Sequence, residues 1–151
     1  MSRLLKISLV LACIGGISGC IQDRTSAVGF RLPDGDPVIG RQYFLSLQCH
    51  ECHSIAGEDL PQLPLADEPY VELGGAVTHV KTYGELVTAI INPSHKLAEG
   101  YLRDEVSHDG KSKMIVYNGH MTVQQLIDIV MFLQPHYEVV LPEFTYLEYE
   151  L

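Results

Sequence analysis

The sequence predicts an all-α fold, and three observations carry that reading. Three stretches combine helical apolar spacing with the residues that start and stop helices. Strand-like patterning is confined to one short, interrupted region, residues 70–80. A five-residue motif, Cys49-His50-Glu51-Cys52-His53, follows directly on the first helical stretch and gives the helices something to enclose.

The first helix begins at Asp36-Pro37, an N-cap followed by proline at the first helical position. It continues through 38–47 and runs into Cys49. Gly40 in its interior costs about 1 kcal/mol relative to alanine and calls for a close helix crossing. Phe44 lies four residues on, on the same face. Residues 54–81 are the least regular part, broken by Pro61, Pro64 and Pro69. Within them 70–73 and 77–80, around Gly74-Gly75, spell a small β-hairpin or an extended loop along a cofactor edge. The second helix opens on a capping box, Thr82 with Glu85, carries Leu86, Val87, Ile90 and Ile91, and ends at Asn92-Pro93. Residues 94–113 read as a loop with Asp109-Gly110 as a turn. A second box, Thr122 with Gln125, opens the third helix. Met121 and Leu126 form its hydrophobic staple, and Pro135 stops it. The tail, 136–151, holds four acids, no base, and Tyr137, Phe144, Tyr146 and Tyr149. It reads as a segment that wraps the domain, adds a strand or stays mobile.

The formal net charge is −9. Removing residues 1–19 takes away Arg3 and Lys6 and no acid, which makes it two units more negative. Such a surface repels phosphate backbones and argues against nucleic-acid binding. It suits a basic protein partner, and equally it keeps an exported protein soluble. Export follows from the start of the chain: Arg3 and Lys6 precede an apolar run, 7–17, of signal-peptide length. The run ends in Ile17-Ser18-Gly19-Cys20, which resembles a bacterial lipobox with Cys20 as the acylated residue; an ordinary secreted protein and an uncut anchor helix are the alternatives, and all three export the domain. Cys13 closes a similar pattern but would leave too short an apolar region. The expected organisation is a signal peptide over 1–19, a lipid-anchored tether over 20–35, a domain over 36–135 and the tail. A tether of about 15 residues spans roughly 20 Å.

Cys49 to His53 reads as a c-type haem attachment site. Two thiols three residues apart reach the two vinyl groups on one porphyrin edge, and the next imidazole turns under the ring to bind iron. With Cys20 acylated and Cys13 removed, no pair remains for a structural disulfide. A zinc site is the rival, but it needs four ligands and the chain has no second CxxC. A thioredoxin-type pair lacks its βα context. His53 is the proximal iron ligand. Distal candidates are Met114, Met121, His79, His95, His108, His120 and His136. His50 is expected to face solvent. Tyr83, Tyr101, Arg103, Tyr117 and Asn118 are candidates to bond the haem propionates.

In this order the features resemble single-haem class I cytochromes c. In that family an N-terminal helix carries Gly and, four on, Phe before CxxCH. A middle helix often ends in Asn-Pro, a loop methionine binds iron, and a capped last helix crosses the first. Gly40, Phe44, Cys49 to His53, Asn92-Pro93 and the 122–134 helix with Phe132 match over about residues 36–135. The family's methionine often stands eight positions before the last helix's cap, which implies Met114 as distal ligand. Met121 then fills the staple. Ile115 stands where the family often has proline. The resemblance implies a class I cytochrome c fold, with three or more helices around one covalent haem c.

The expected function is one-electron transfer by a carrier rather than an enzyme, with iron held by His53 and Met114. Two alternatives stand beside it: a cytochrome subunit of a larger periplasmic oxidoreductase, and a haem sensor or enzyme with an open iron position. The expected partners are redox donor and acceptor proteins with a basic face. The expected location is the periplasmic side of a bacterial membrane, through the anchor at Cys20. Ile21 in place of Asp is compatible with sorting to the outer membrane.

Overall fold

A computed structural model describes residues 32–61 and 71–140. The segment expected as a signal peptide, Cys13, Cys20 and most of the expected tether lie outside the described residues, as do 62–70 and the end of the tail.

Helix α1, Pro37–Ser46, starts where its cap predicts. The Asp36 carboxylate accepts from the backbone N–H of Val38 at 2.8 Å and of Ile39 at 3.2 Å, and Pro37 follows as the first helical residue. The buried face of α1 consists of Gly40 and Phe44. It lies on the longest helix of the described residues, Val123–Leu133, named α4 here because two further helices lie between them in the chain. Thr122 and Gln125 close the expected box on α4: Gln125 N–H donates to the threonine hydroxyl and Thr122 N–H to the Gln125 side-chain oxygen. Leu126, Ile127, Ile129, Val130, Phe132 and Leu133 are buried, and Met121 packs against this core from ahead of the cap.

The crossing of α1 and α4 explains Gly40. A methyl group there would collide with the Asp128 carbonyl oxygen and sit 2.9 Å from Phe132 Cβ. The backbones meet where no side chain fits, and the Phe44 and Phe132 rings pack edge to face with centroids 5.9 Å apart. Asp128 is the unexpected member of the apolar face. It is 3% exposed. One of its carboxylate oxygens accepts from Asp36 N–H and from the Gln124 side-chain amide, both at 2.9 Å. A buried carboxylate on α4 thus holds the start of α1.

Helix α2, Tyr83–Ile91, opens on the Thr82–Glu85 box and buries Leu86 and Val87 against α4. Asn92 ends it, as the following proline requires. The 94–113 segment is more ordered than a plain loop. It holds a short helix α3, Arg103–Val106, and a two-residue hairpin, β4 (Ser107–His108) with β5 (Lys111–Ser112), turned by Asp109-Gly110.

The other strands depart from the expected hairpin and from a purely helical domain. Strand β1, His53–Ile55, pairs in parallel with β2, Val71–Leu73. Strand β3, Gly75–Val77, pairs in parallel with β6, Tyr137–Val139. Gly74 and Gly75 both take positive φ (87° and 76°), so the chain changes direction and 71–73 and 75–77 meet different partners. The start of the tail provides one of them, after a 3₁₀ turn over Gln134–His136. The described residues are therefore a helical core edged by strand pairs of two or three residues.

Candidate haem site

The motif is presented by a controlled end to α1. Leu47 N–H still reaches back to Tyr43 O at 2.9 Å, but Gln48 takes the left-handed conformation (φ 59°, ψ 25°) and stops the helix. A 3₁₀ turn, Cys49–Glu51, follows, and Cys52 N–H donates to Cys49 O at 3.3 Å. Both thiols therefore belong to one tight turn before the chain extends into β1 at His53. Cys49 is half-buried, and burial pushes its thiol up to about 11. Cys52 is exposed, and neither forms a disulfide.

His53 carries the most informative contact. Its Nδ1 lies 3.1 Å from Val71 O, across the β1–β2 pair. A carbonyl only accepts, so Nδ1 holds a proton, and in the neutral ring that burial favours Nε2 keeps its lone pair. This is the tautomer and orientation that metal-binding imidazoles take when the other ring nitrogen is anchored. Burial lowers the pKa of the ring, and the Val71 bond opposes that in part.

His50 departs from expectation. It is 8% exposed, its Nδ1 has no hydrogen-bond partner among the described residues, and with His53, Ile55 and Leu60 it lines a cavity of about 290 Å³. The 3₁₀ turn brings His50 inside while Cys52 stays out.

Met114 is partly buried in the loop after β5, and its N–H donates to the Ser112 hydroxyl at 3.2 Å. Three residues on, the Tyr117 hydroxyl donates to Leu47 O at 2.9 Å. The Tyr117 pKa is raised first by burial and then by Cys49, Glu51 and Cys52. That loop is therefore tied to the end of α1, beside the attachment turn. Met121 belongs to the packed core, as its staple position predicts. Of the rival distal histidines, His79, His95, His108 and His120 are exposed. His136 is half-buried against the Phe132 ring, centroids 5.3 Å apart.

The five propionate candidates separate. Tyr117 is engaged at Leu47, and Asn118 donates to Ile91 O at 2.9 Å. The Tyr83 hydroxyl is buried without a hydrogen-bond partner among the described residues. Tyr101 and Arg103 both line an open cavity of about 340 Å³. Among the described residues no three His, Cys, Asp or Glu side chains converge as a metal-holding group.

The donors present fit a covalently attached haem. Two thiols lie on one turn, the next residue is an imidazole whose Nδ1 is anchored, and a buried polar atom on His50 has no hydrogen-bond partner among the described residues. Comparison with protein-family models, with curated proteins and with solved structures returned no match.

Proposed function

We propose that this chain is a monohaem c-type cytochrome that carries one electron at a time. The bond from His53 Nδ1 to Val71 O carries the reading, because it leaves Nε2 as a ligand directly after two thiols on one turn. A haem bound there would supply a one-electron iron couple. Cys49 and Cys52 would hold its edge by thioethers, His53 would be the proximal ligand and Met114 the distal one. Methionine sulfur favours the reduced state and raises the potential relative to a second histidine. With His53 and Met114 both holding it, the group would keep no place for a substrate and would supply one-electron transfer alone, by way of the surface beside the exposed Cys52. The role is therefore that of a carrier within the class I cytochrome c family that the sequence resembles. Its acidic surface suits basic redox partners and makes their association salt-sensitive. The lipobox-like Cys20 supports a lipid anchor on the periplasmic side of a bacterial membrane.

The test is production of the full chain in a bacterium that matures c-type cytochromes. Haem should remain with the polypeptide after denaturation, and Cys49→Ser with Cys52→Ser should abolish this. The pigment should titrate as a single one-electron couple. A wild-type chain that emerges without covalent haem overturns the proposal.

A further inference from the structure

We propose that Tyr117 is the positioning residue that keeps Met114 in its ligand place, an inference that rests on the haem reading and on Met114 as the distal ligand. Met114 belongs to a span that is held at both ends and not in its middle. Ahead of it, Lys113 N–H donates to Val106 O at 3.0 Å. Behind it, the Tyr117 hydroxyl donates to Leu47 O and the Asn118 side-chain amide to Ile91 O, both at 2.9 Å. Between these points Ile115 and Val116 are exposed, so apolar packing contributes little there.

The two ties behind Met114 are unequal. The Asn118 bond is exposed, where water competes for both partners. The Tyr117 bond is part-buried and joins groups 70 residues apart. Its acceptor, Leu47, caps the end of α1 just ahead of Cys49. A carbonyl at a helix end has no helical N–H to accept from, so the tyrosine supplies the partner this end lacks. The Tyr117 carbonyl in turn accepts His120 N–H at 2.8 Å and Met121 N–H at 2.9 Å. One residue thus joins the Met114 span to the attachment turn through its side chain, and to the approach of α4 through its backbone. A ligand on an exposed span is retained only as well as the span is held. A span that swings away would open the position opposite His53 to outside ligands. Methionine sulfur favours the reduced state, so the oxidised protein is where such opening shows first. Tyr117 is therefore what separates a closed carrier from the open-position alternative.

The experiment compares oxidised full-length holoprotein, wild type and Tyr117→Phe, with imidazole as the outside ligand. Thr82→Ala removes a cap on α2, away from the span, and controls for a general loss of stability. Losing one net hydrogen bond shifts an opening equilibrium by about two- to tenfold. Tyr117→Phe should therefore bind imidazole about fivefold more tightly, read as loss of the sulfur-to-iron charge-transfer band at lower imidazole. In the same variant the His120 and Met121 amides should exchange with deuterium about fivefold faster, and those of α2 at the wild-type rate. Thr82→Ala should keep the wild-type imidazole affinity and speed exchange in α2 alone. A wild-type protein that shows the band, with imidazole affinity and exchange identical in Tyr117→Phe, overturns the role of Tyr117 alone. Equal gains in imidazole affinity for Tyr117→Phe and Thr82→Ala overturn it too, since general loosening would then explain both. A wild-type holoprotein without the band removes Met114 as ligand and this inference with it. A chain that attaches no haem defeats the proposed function instead. Exchange at His120 and Met121 in the haem-free full chain then judges the tie, and equal rates with and without the hydroxyl overturn it.

Discussion

Replacing Gly40 by alanine puts a methyl group where the backbone of α4 already stands. The added carbon would overlap the Asp128 carbonyl oxygen and lie 2.5 Å from its carbon and 2.9 Å from Phe132 Cβ. Two of these three atoms are main chain, so no rotamer change relieves them. Overpacking costs about 1–3 kcal/mol, occasionally more, and a backbone clash belongs at the upper end. Alanine returns about 1 kcal/mol of helix propensity. The net loss is therefore about 2 kcal/mol or more, which is a fall of about 8 °C or more in melting temperature. Gly84 is the internal control, because a methyl there meets nothing within 4 Å. Gly84→Ala should be neutral or stabilising by up to about 1 kcal/mol. Thermal and urea unfolding by far-ultraviolet circular dichroism reads both variants. A Gly40→Ala protein as stable as Gly84→Ala would refute the crossing.

Met114→Ala should abolish the sulfur-to-iron charge-transfer band and lower the midpoint potential; an unchanged spectrum would pass the distal role to a histidine. Glu85 is held below the ordinary carboxylate range by the Thr82 backbone N–H and then by the Thr82 hydroxyl. A depressed folded value stabilises above the unfolded value of about 4.5 and is lost as pH falls through the folded one. Glu85→Gln, which keeps the hydrogen bonds, should thus cost a few tenths of a kcal/mol near neutrality and nothing in acid. Urea midpoints across pH check this, and a gap that widens on acidification would contradict it. In the haem-free protein, iodoacetamide at pH 8 should label Cys52 well before Cys49. A thiol raised to about 11 is thiolate in roughly one molecule in a thousand at that pH. Peptide mass spectrometry measures the order, and equal labelling would remove the burial of Cys49.

Local chemistry was legible in the chain because its partners lie within a few residues. Asp36, Thr82 and Thr122 cap the N–H groups two or three positions ahead, and Asn92-Pro93 stops α2 by sterics alone. Gly40 was legible for another reason: a glycine in mid-helix costs stability unless something needs the space. The strand pairs were not legible. Runs of two or three residues carry no period, and their partners stand far off along the chain, 53–55 with 71–73 and 75–77 with 137–139. Asp128 was missed as well, since an acid inside an apolar face looks like an interruption until Asp36 N–H is brought to it.

By itself the sequence determined where α1, α2 and α4 start and stop, which cysteines and histidine form one motif, and which methionine sits in a loop rather than a staple. Each of these depends on spacing along the backbone. Only the tertiary structure decided the state of the side chains that the motif brings together. The Val71 carbonyl, eighteen residues away, selects the tautomer of His53. A left-handed Gln48 and a 3₁₀ turn bury His50 and leave Cys52 outside. The Tyr117 hydroxyl ties the loop of Met114 to the end of α1. Burial, tautomer and long-range hydrogen bonds are properties of neighbours in space, and the order of residues along the chain does not name those neighbours.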